Sequence, residues 1–194
     1  MKGKKQERIL RILLKTPDGS LSKYRIAKEA NCSHVWVIKF LRKLEKINLV
    51  KKTKIKDIQS VFYYWLKISK FPLYREYNIQ NPLDFLKKIN LMYAITTYYA
   101  ESFTQHYLFP SRVDIYVREQ DIQEWHKRLT KKGLVGKGNM RILIDDEHVF
   151  YSNIKKEGFR IVSTPQLILD LLREEGVAIE AAQMLIKREY HDIV

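Results

Sequence analysis

The sequence predicts an α+β protein of two modules: three helices and a hairpin over residues 1–70, then mixed strands and helices over 82–194. Three observations predict it. Residues 1–70 hold 19 Lys/Arg against 5 Asp/Glu, whereas 71–194 hold 17 of each, so the whole net charge of +14 lies in the first third. The early segment places apolar residues at helical spacing between capping residues, while the later one mixes helical spacing with alternation. Residues 71–81, which contain Pro72 and are followed by Pro82, show little periodicity and read as a linker.

In the first module Ile9, Leu10, Leu13 and Leu14 share one helical face, and the helix stops before the turn signal Thr16-Pro17-Asp18-Gly19. Ser22 caps the next helix, with Leu21 and Ile26 spaced for a hydrophobic staple. That helix covers 23–30, and its Ala27 and Ala30 let another helix cross closely. Asn31-Cys32-Ser33 make a turn, Asn31 tolerating left-handed backbone and Ser33 capping a third helix from His34 to about Ile47. Val37, Leu41 and Leu44 form its buried stripe, and Asn48 ends it. Residues 49–55 alternate apolar and basic, and 61–68 are β-branched and aromatic; both read as strands, with 56–60 as the hairpin tip.

In the second module Asn81 caps a helix opened by Pro82 and carrying Leu83, Leu86 and Ile89. Residues 92–96 read as a strand and 98–107 as a helix through Tyr99, Phe103 and Tyr107, broken at Phe109-Pro110-Ser111. Val113, Ile115 and Val117 alternate as a strand, 121–129 form an amphipathic helix, and the glycines of 133–138 mark a loop. Residues 141–144, 148–151 and 159–162 read as strands. Pro165 at the first helical position opens a helix to about Arg173, and 178–190 form the last helix.

Composition narrows the chemistry. A single cysteine, Cys32, excludes an intramolecular disulfide and Cys-pair zinc motifs. No apolar run reaches the roughly 18 residues of a membrane span, no lipidation signal or basic amphipathic membrane helix is evident, and Met1 to Glu7 lack a signal-peptide core. The expectation is a cytoplasmic protein with no membrane partner. His34, His106, His126, His148 and His191 lack paired ligand spacing, and the 7 glycines form no phosphate-binding loop, so neither metal nor cofactor is expected. Ser102, Ser111 and Ser163 stand in no nucleophile elbow. Asp145-Asp146-Glu147 reads as a solvated turn, and Tyr93, Tyr98, Tyr99, Tyr107 and Tyr116 as core packing.

Charge concentrated on one module is the footprint of a polyanion binder. A short helix, a three-residue turn and a longer helix make a helix-turn-helix, and 22–50 resemble the winged-helix transcription-regulator pattern nearly position by position. The resemblance implies double-stranded DNA as partner. In that arrangement the first turns of the second helix enter the major groove. With Val37, Leu41 and Leu44 inward, Ser33, His34, Trp36, Ile38, Lys39, Arg42 and Lys43 face outward. Ser33 and His34 can hydrogen-bond base edges and Lys39 can reach guanine, while Trp36 reads equally as groove contact or packing. Ser22, Lys23 and the hairpin lysines Lys51, Lys52, Lys54 and Lys56 are placed for phosphates, which fix register without reading sequence. An RNA-binding reading lacks the exposed aromatic sheet of common RNA binders.

The stretches 93–100, 109–117 and 158–172 resemble the nucleotidyltransferase-like plan, in which a strand enters a Gly/Ser turn and helix and the next strand bears Asp-x-Asp. With the first module, nearly the whole chain resembles the antitoxin-like regulators of abortive-infection type IV toxin–antitoxin systems. That resemblance implies an autorepressor functionally linked to a nucleotidyltransferase toxin, and a palindromic operator would imply a homodimer. The chain departs from the enzyme plan at two places. Thr96-Thr97 replace the glycine turn that lets backbone approach a triphosphate, and Tyr116 replaces the second carboxylate beside Asp114. The second module is therefore expected to be non-catalytic; the alternative is a minimal nucleotidyltransferase acting on a nucleic acid or nucleotide.

Overall fold

The computed structural model describes residues 2–191 and is a mixed α+β protein. The described residues divide into two units, 2–70 with 183–191, and 71–182. Among the described residues no helix is long and apolar enough to cross a membrane.

The first unit begins with α1 (Lys2–Lys15), α2 (Lys23–Glu29) and α3 (His34–Lys46). Local chemistry sets these boundaries. Ser22 Oγ accepts the Arg25 amide at 3.1 Å and Ser33 Oγ the Trp36 amide at 3.3 Å. Asn31 (φ 49°) and Asn48 (φ 61°) take the left-handed backbone that ends each helix. Val37, Leu41 and Leu44 are buried as expected, joined by Phe40.

The hairpin departs from the sequence reading. Strands β1 (Val50–Lys51) and β2 (Lys54–Ile55) are two residues each and turn at Lys52-Thr53. Residues 61–68 are not its second strand: they lie in helix α4 (Ile58–Ile68), and 56–60 are not its tip, because Asp57 Oδ1 accepts the Ser60 amide at 3.1 Å as the cap of α4. Ile58, Val61, Phe62 and Trp65 recur at i, i+3, i+4, i+7 and are all buried, so helical periodicity overrode β-type composition. Trp65 Nε1 donates to Glu7 at 3.1 Å, and the buried Arg11 guanidinium sits 5.2 Å from the same ring's centroid, locking α4 to α1.

The second unit is built on a seven-stranded sheet. Its elements are β3 (Leu73–Ile79), α5 (Pro82–Lys88), β4 (Tyr93–Thr96), α6 (Thr97–Gln105), β5 (Val113–Val117), α7 (Ile122–Thr130), β6 (Gly133–Val135), β7 (Met140–Ile144), β8 (Ile154–Lys156), β9 (Phe159–Ile161) and α8 (Thr164–Arg173). The strand order is β6-β3-β7-β5-β4-β9-β8, with β4/β9 and β5/β7 parallel and the other pairs antiparallel. Helix α9 (Val177–Glu189) begins in this unit and ends in the first.

Four expectations are corrected here. Residues 71–81 are not a linker, since β3 within them pairs with both β7 and β6. The glycine loop at 133–138 contains β6, and 148–151 are not a strand: 148–150 fall in a 3-10 turn (Glu147–Phe150) capped by Asp146, and Tyr151 follows it. Residues 183 onward do not belong with 82–182. Tyr190 OH donates to the Leu14 carbonyl at 2.9 Å and its ring meets Phe62 edge-on, which ties that stretch to the first unit.

Helices cover both sheet faces. On one face α5 and α7 bury Leu86, Trp125 and Leu129 over Tyr93 and Tyr77; Tyr77 OH lies 3.0 Å from His126 Nδ1. On the other, α6 and α8 cover Thr96, Asp114 and Tyr116.

Candidate nucleic-acid interface

The α2–turn–α3 pair presents a continuous outward stripe. Opposite Val37, Phe40, Leu41 and Leu44 lie Val35, Lys39, Arg42 and Lys46 at i, i+4, i+7, i+11, all exposed. His34 and Lys43 flank the stripe and are exposed too; the His34 ring packs edge-on to exposed Tyr24 of α2, and the Lys43 ammonium sits 5.7 Å from the Tyr64 ring centroid. Trp36, open to two readings from sequence, is half-buried with its ring 5.7 Å from that of Phe40. Ile38 is half-buried as well.

Ser22 and Ser33 are exposed, and each hydroxyl oxygen already accepts a backbone amide. Each keeps its O–H to donate, the role a phosphate oxygen needs. Lys23 is half-buried at the first position of α2.

Lys51, Lys52, Lys54 and Lys56 are exposed on the hairpin. Three contacts hold it. Ile55 N donates to the Pro17 carbonyl at 2.9 Å, Thr53 Oγ1 to the Gly19 carbonyl at 3.0 Å, and Lys52 N to Glu45 Oε1 at 2.7 Å. Gly19 has φ +83° and a Cβ there would come within 2.7 Å of Lys54 Cβ, so this close approach requires glycine. Lys56 Nζ bonds Asn48 Oδ1 at 2.5 Å, which draws its charge toward the end of α3.

Val35 and Lys46 complete the stripe and were missed in the sequence reading, as was Tyr24. The signal for Val35 and Lys46 was present: both fall on the helical line through Lys39 and Arg42, opposite the buried stripe.

In the second unit the residues around Asp114 assemble into a closed polar network. Asp114 is fully buried, on one rung between Thr96 of β4 and Arg141 of β7. Its carboxylate accepts two hydrogen bonds from Arg112 (2.7 and 3.1 Å), two from Arg141 (3.1 and 2.8 Å) and one from the Thr97 hydroxyl (2.5 Å). Glu174 pairs with both arginines and accepts from Tyr98 OH at 3.3 Å. Burial opposes the charge on Arg112 and Arg141, but Asp114 and Glu174 outweigh it, and both guanidiniums are held above their ordinary pKa.

Tyr116, two residues on, points its hydroxyl at Asp170 (2.9 Å), which also accepts from Thr96, Gln166 and Arg173. Burial pushes the Asp170 carboxyl up, against the opposing pull of Arg173 and these hydrogen bonds. Thr97 begins α6 with φ 49°, the backbone shape a glycine would take. Among the described residues no group of three or more His, Cys, Asp or Glu is placed to hold a metal ion.

No family model, curated protein or solved structure matches this chain.

Proposed function

We propose that this protein is a sequence-specific DNA-binding transcriptional regulator of the cytoplasm, with a winged-helix-type reader followed by a non-catalytic nucleotidyltransferase-like unit. The observation that carries the reading is coincidence: the +14 surplus of residues 1–70 falls on a capped helix pair whose second helix exposes Lys39, Arg42 and Lys46 in one line. A helix with that stripe, flanked by a short lysine hairpin, suits a major groove with phosphates on either side. In this reading the wing is reduced to two residues per strand. The resemblance to antitoxin-like regulators extends the proposal to autorepression, a functional link to a nucleotidyltransferase toxin and a homodimer on a palindromic operator.

The non-catalytic part rests on Asp114. Nucleotidyl transfer requires its oxygens for a metal, and here two guanidiniums and a hydroxyl occupy them. The layout of β4, Thr97 and α6 beside Asp114 favours the minimal nucleotidyltransferase as second reading, and a metal-loaded form would have to displace both arginines.

The test uses the full-length protein and duplexes selected from a random pool. Affinity should fall steeply with salt, log K dropping by about 0.9 per log unit of salt for each phosphate contact. Lys39→Ala and Arg42→Ala should each cost about 1–3 kcal/mol on the selected site and relax its sequence. Lys52→Ala and Lys54→Ala should weaken all duplexes alike and each lower the salt slope by about 1. Binding indifferent to salt would sink the proposal, and sequence preference moving with the hairpin variants would reverse the assigned roles.

A further inference from the structure

The balanced charge of residues 71–182, 15 Lys/Arg and 15 Asp/Glu, conceals segregation in space. Residues 125–140 carry Lys127, Arg128, Lys131, Lys132 and Lys137 and no carboxylate. Three of these meet Lys88 around an open cleft of about 510 Å³, between the β3–α5 connection, α5 and the end of α7. Its ionic lining is Lys88, Arg128, Lys131 and Lys132 against one carboxylate, Asp84.

Arg128 is already engaged, with Glu124 at 2.6 Å and Asn90 at 3.3 Å. Lys88, Lys131 and Lys132 are exposed and, among the described residues, their ammonium groups make no hydrogen bond or ion pair. Cations are common at helix C-termini, but these come from two separate helices and face one cavity. With one carboxylate in the lining the cluster keeps a local positive surplus, which an anion seated among the lysines would neutralise. Phe85 forms an apolar wall, half-buried, its ring braced 6.2 Å from that of buried Trp125; Ile79 and Ile89 extend the wall, and the amides of Gln80 and Asn81 offer donors and acceptors.

We propose that this cleft binds a small ligand carrying two or more phosphates on a flat, partly apolar body. The volume lies within the range of small-ligand sites. The lysines supply point charges for phosphates, and Phe85 supplies a face for a ring to lie against. The site is separate from the Asp114 network: α5 and α7 cover the opposite sheet face from α6 and α8. It does not depend on DNA binding by the first unit.

Titration calorimetry of the full-length protein with ADP, inorganic pyrophosphate and adenosine tests the idea. ADP should bind, pyrophosphate more weakly because it lacks the ring, and adenosine least. Replacing Lys88, Lys131 and Lys132 together by alanine should weaken ADP at least about tenfold, and Lys155→Ala, an exposed lysine of β8, should leave it unchanged. These four positions are solvent-exposed, so the variants keep the core intact. Pyrophosphate binding as tightly as ADP, or an equal loss in Lys155→Ala, would reduce the cleft to diffuse surface charge and overturn the proposal. So would absence of ADP binding, whether or not the triple variant loses duplex affinity; if it does, the cleft is a nucleic-acid surface.

Discussion

At Asp114 one carboxylate holds two guanidiniums inside the second unit. Arg112 and Arg141 approach from a neighbouring backbone position and from the adjacent strand, and Glu174 supplies the second negative charge. Removing a single partner from such a cluster leaves buried charge without compensation, which typically costs about 3–5 kcal/mol. Asp114→Ala should lower unfolding free energy by that order in urea titration. The double variant Asp114→Ala, Arg141→Met should cost clearly less than the sum of the single changes, because it removes the orphaned cation with its partner. Additive losses would mean that the two side chains are not coupled. One Asp114 oxygen thus accepts from both arginines and from Thr97.

Among the elements, α4 shows how a local cap outweighs composition. Asp57 accepts from both the amide and the hydroxyl of Ser60, and these bonds, the hydroxyl's first, hold its carboxyl below the ordinary value of 3.8. A depressed folded pKa gives stability that is present above the unfolded value and lost as pH falls through the folded one. Asp57→Ala should therefore cost about 1 kcal/mol near neutral pH, and the gap from wild type should close in acid as the carboxylate takes up its proton. A gap that persists there would assign the loss to packing, not to the charged cap. Such caps could be read from sequence because they depend on three or four consecutive residues: Ser22, Ser33, Asn31 and Asn48 all act as expected. The β-branched and aromatic content of Val61 to Ile68 suggests a strand, although the spacing of Ile58, Val61, Phe62 and Trp65 is helical. Strands β3 and β6 stayed hidden for another reason. β3 joins Tyr77 to Val135 of β6 and Tyr74 to Leu143 of β7, partners far apart in the chain, and no local pattern marks β3 or β6. The Asp114–Arg141 pair was invisible on the same ground, whereas Lys39 and Arg42 of the α3 stripe followed from helical spacing alone.

The whole molecule does not follow the order of its sequence, because the first unit is completed by the end of the chain. Tyr190, one residue past α9, is 5 % exposed, donates to the Leu14 carbonyl and packs its ring on Phe62, and Leu185 and Ile186 of α9 are buried. A fragment ending at residue 70 therefore lacks part of its own core, even though it contains every residue assigned to DNA. Tyr190→Phe keeps the ring but leaves the buried Leu14 oxygen without this donor, a loss of about 1–3 kcal/mol. Tyr190→Ala adds a cavity and should cost more, of order 3–5 kcal/mol. Chemical denaturation of full-length variants measures both. Near the unfolding transition of the first unit, Tyr190→Ala should also weaken duplex binding, while well below it the affinity and salt slope should match wild type, since no phosphate contact has been removed. A reduced salt slope in the fully folded variant would mean instead that the C-terminal helix itself meets the polyanion.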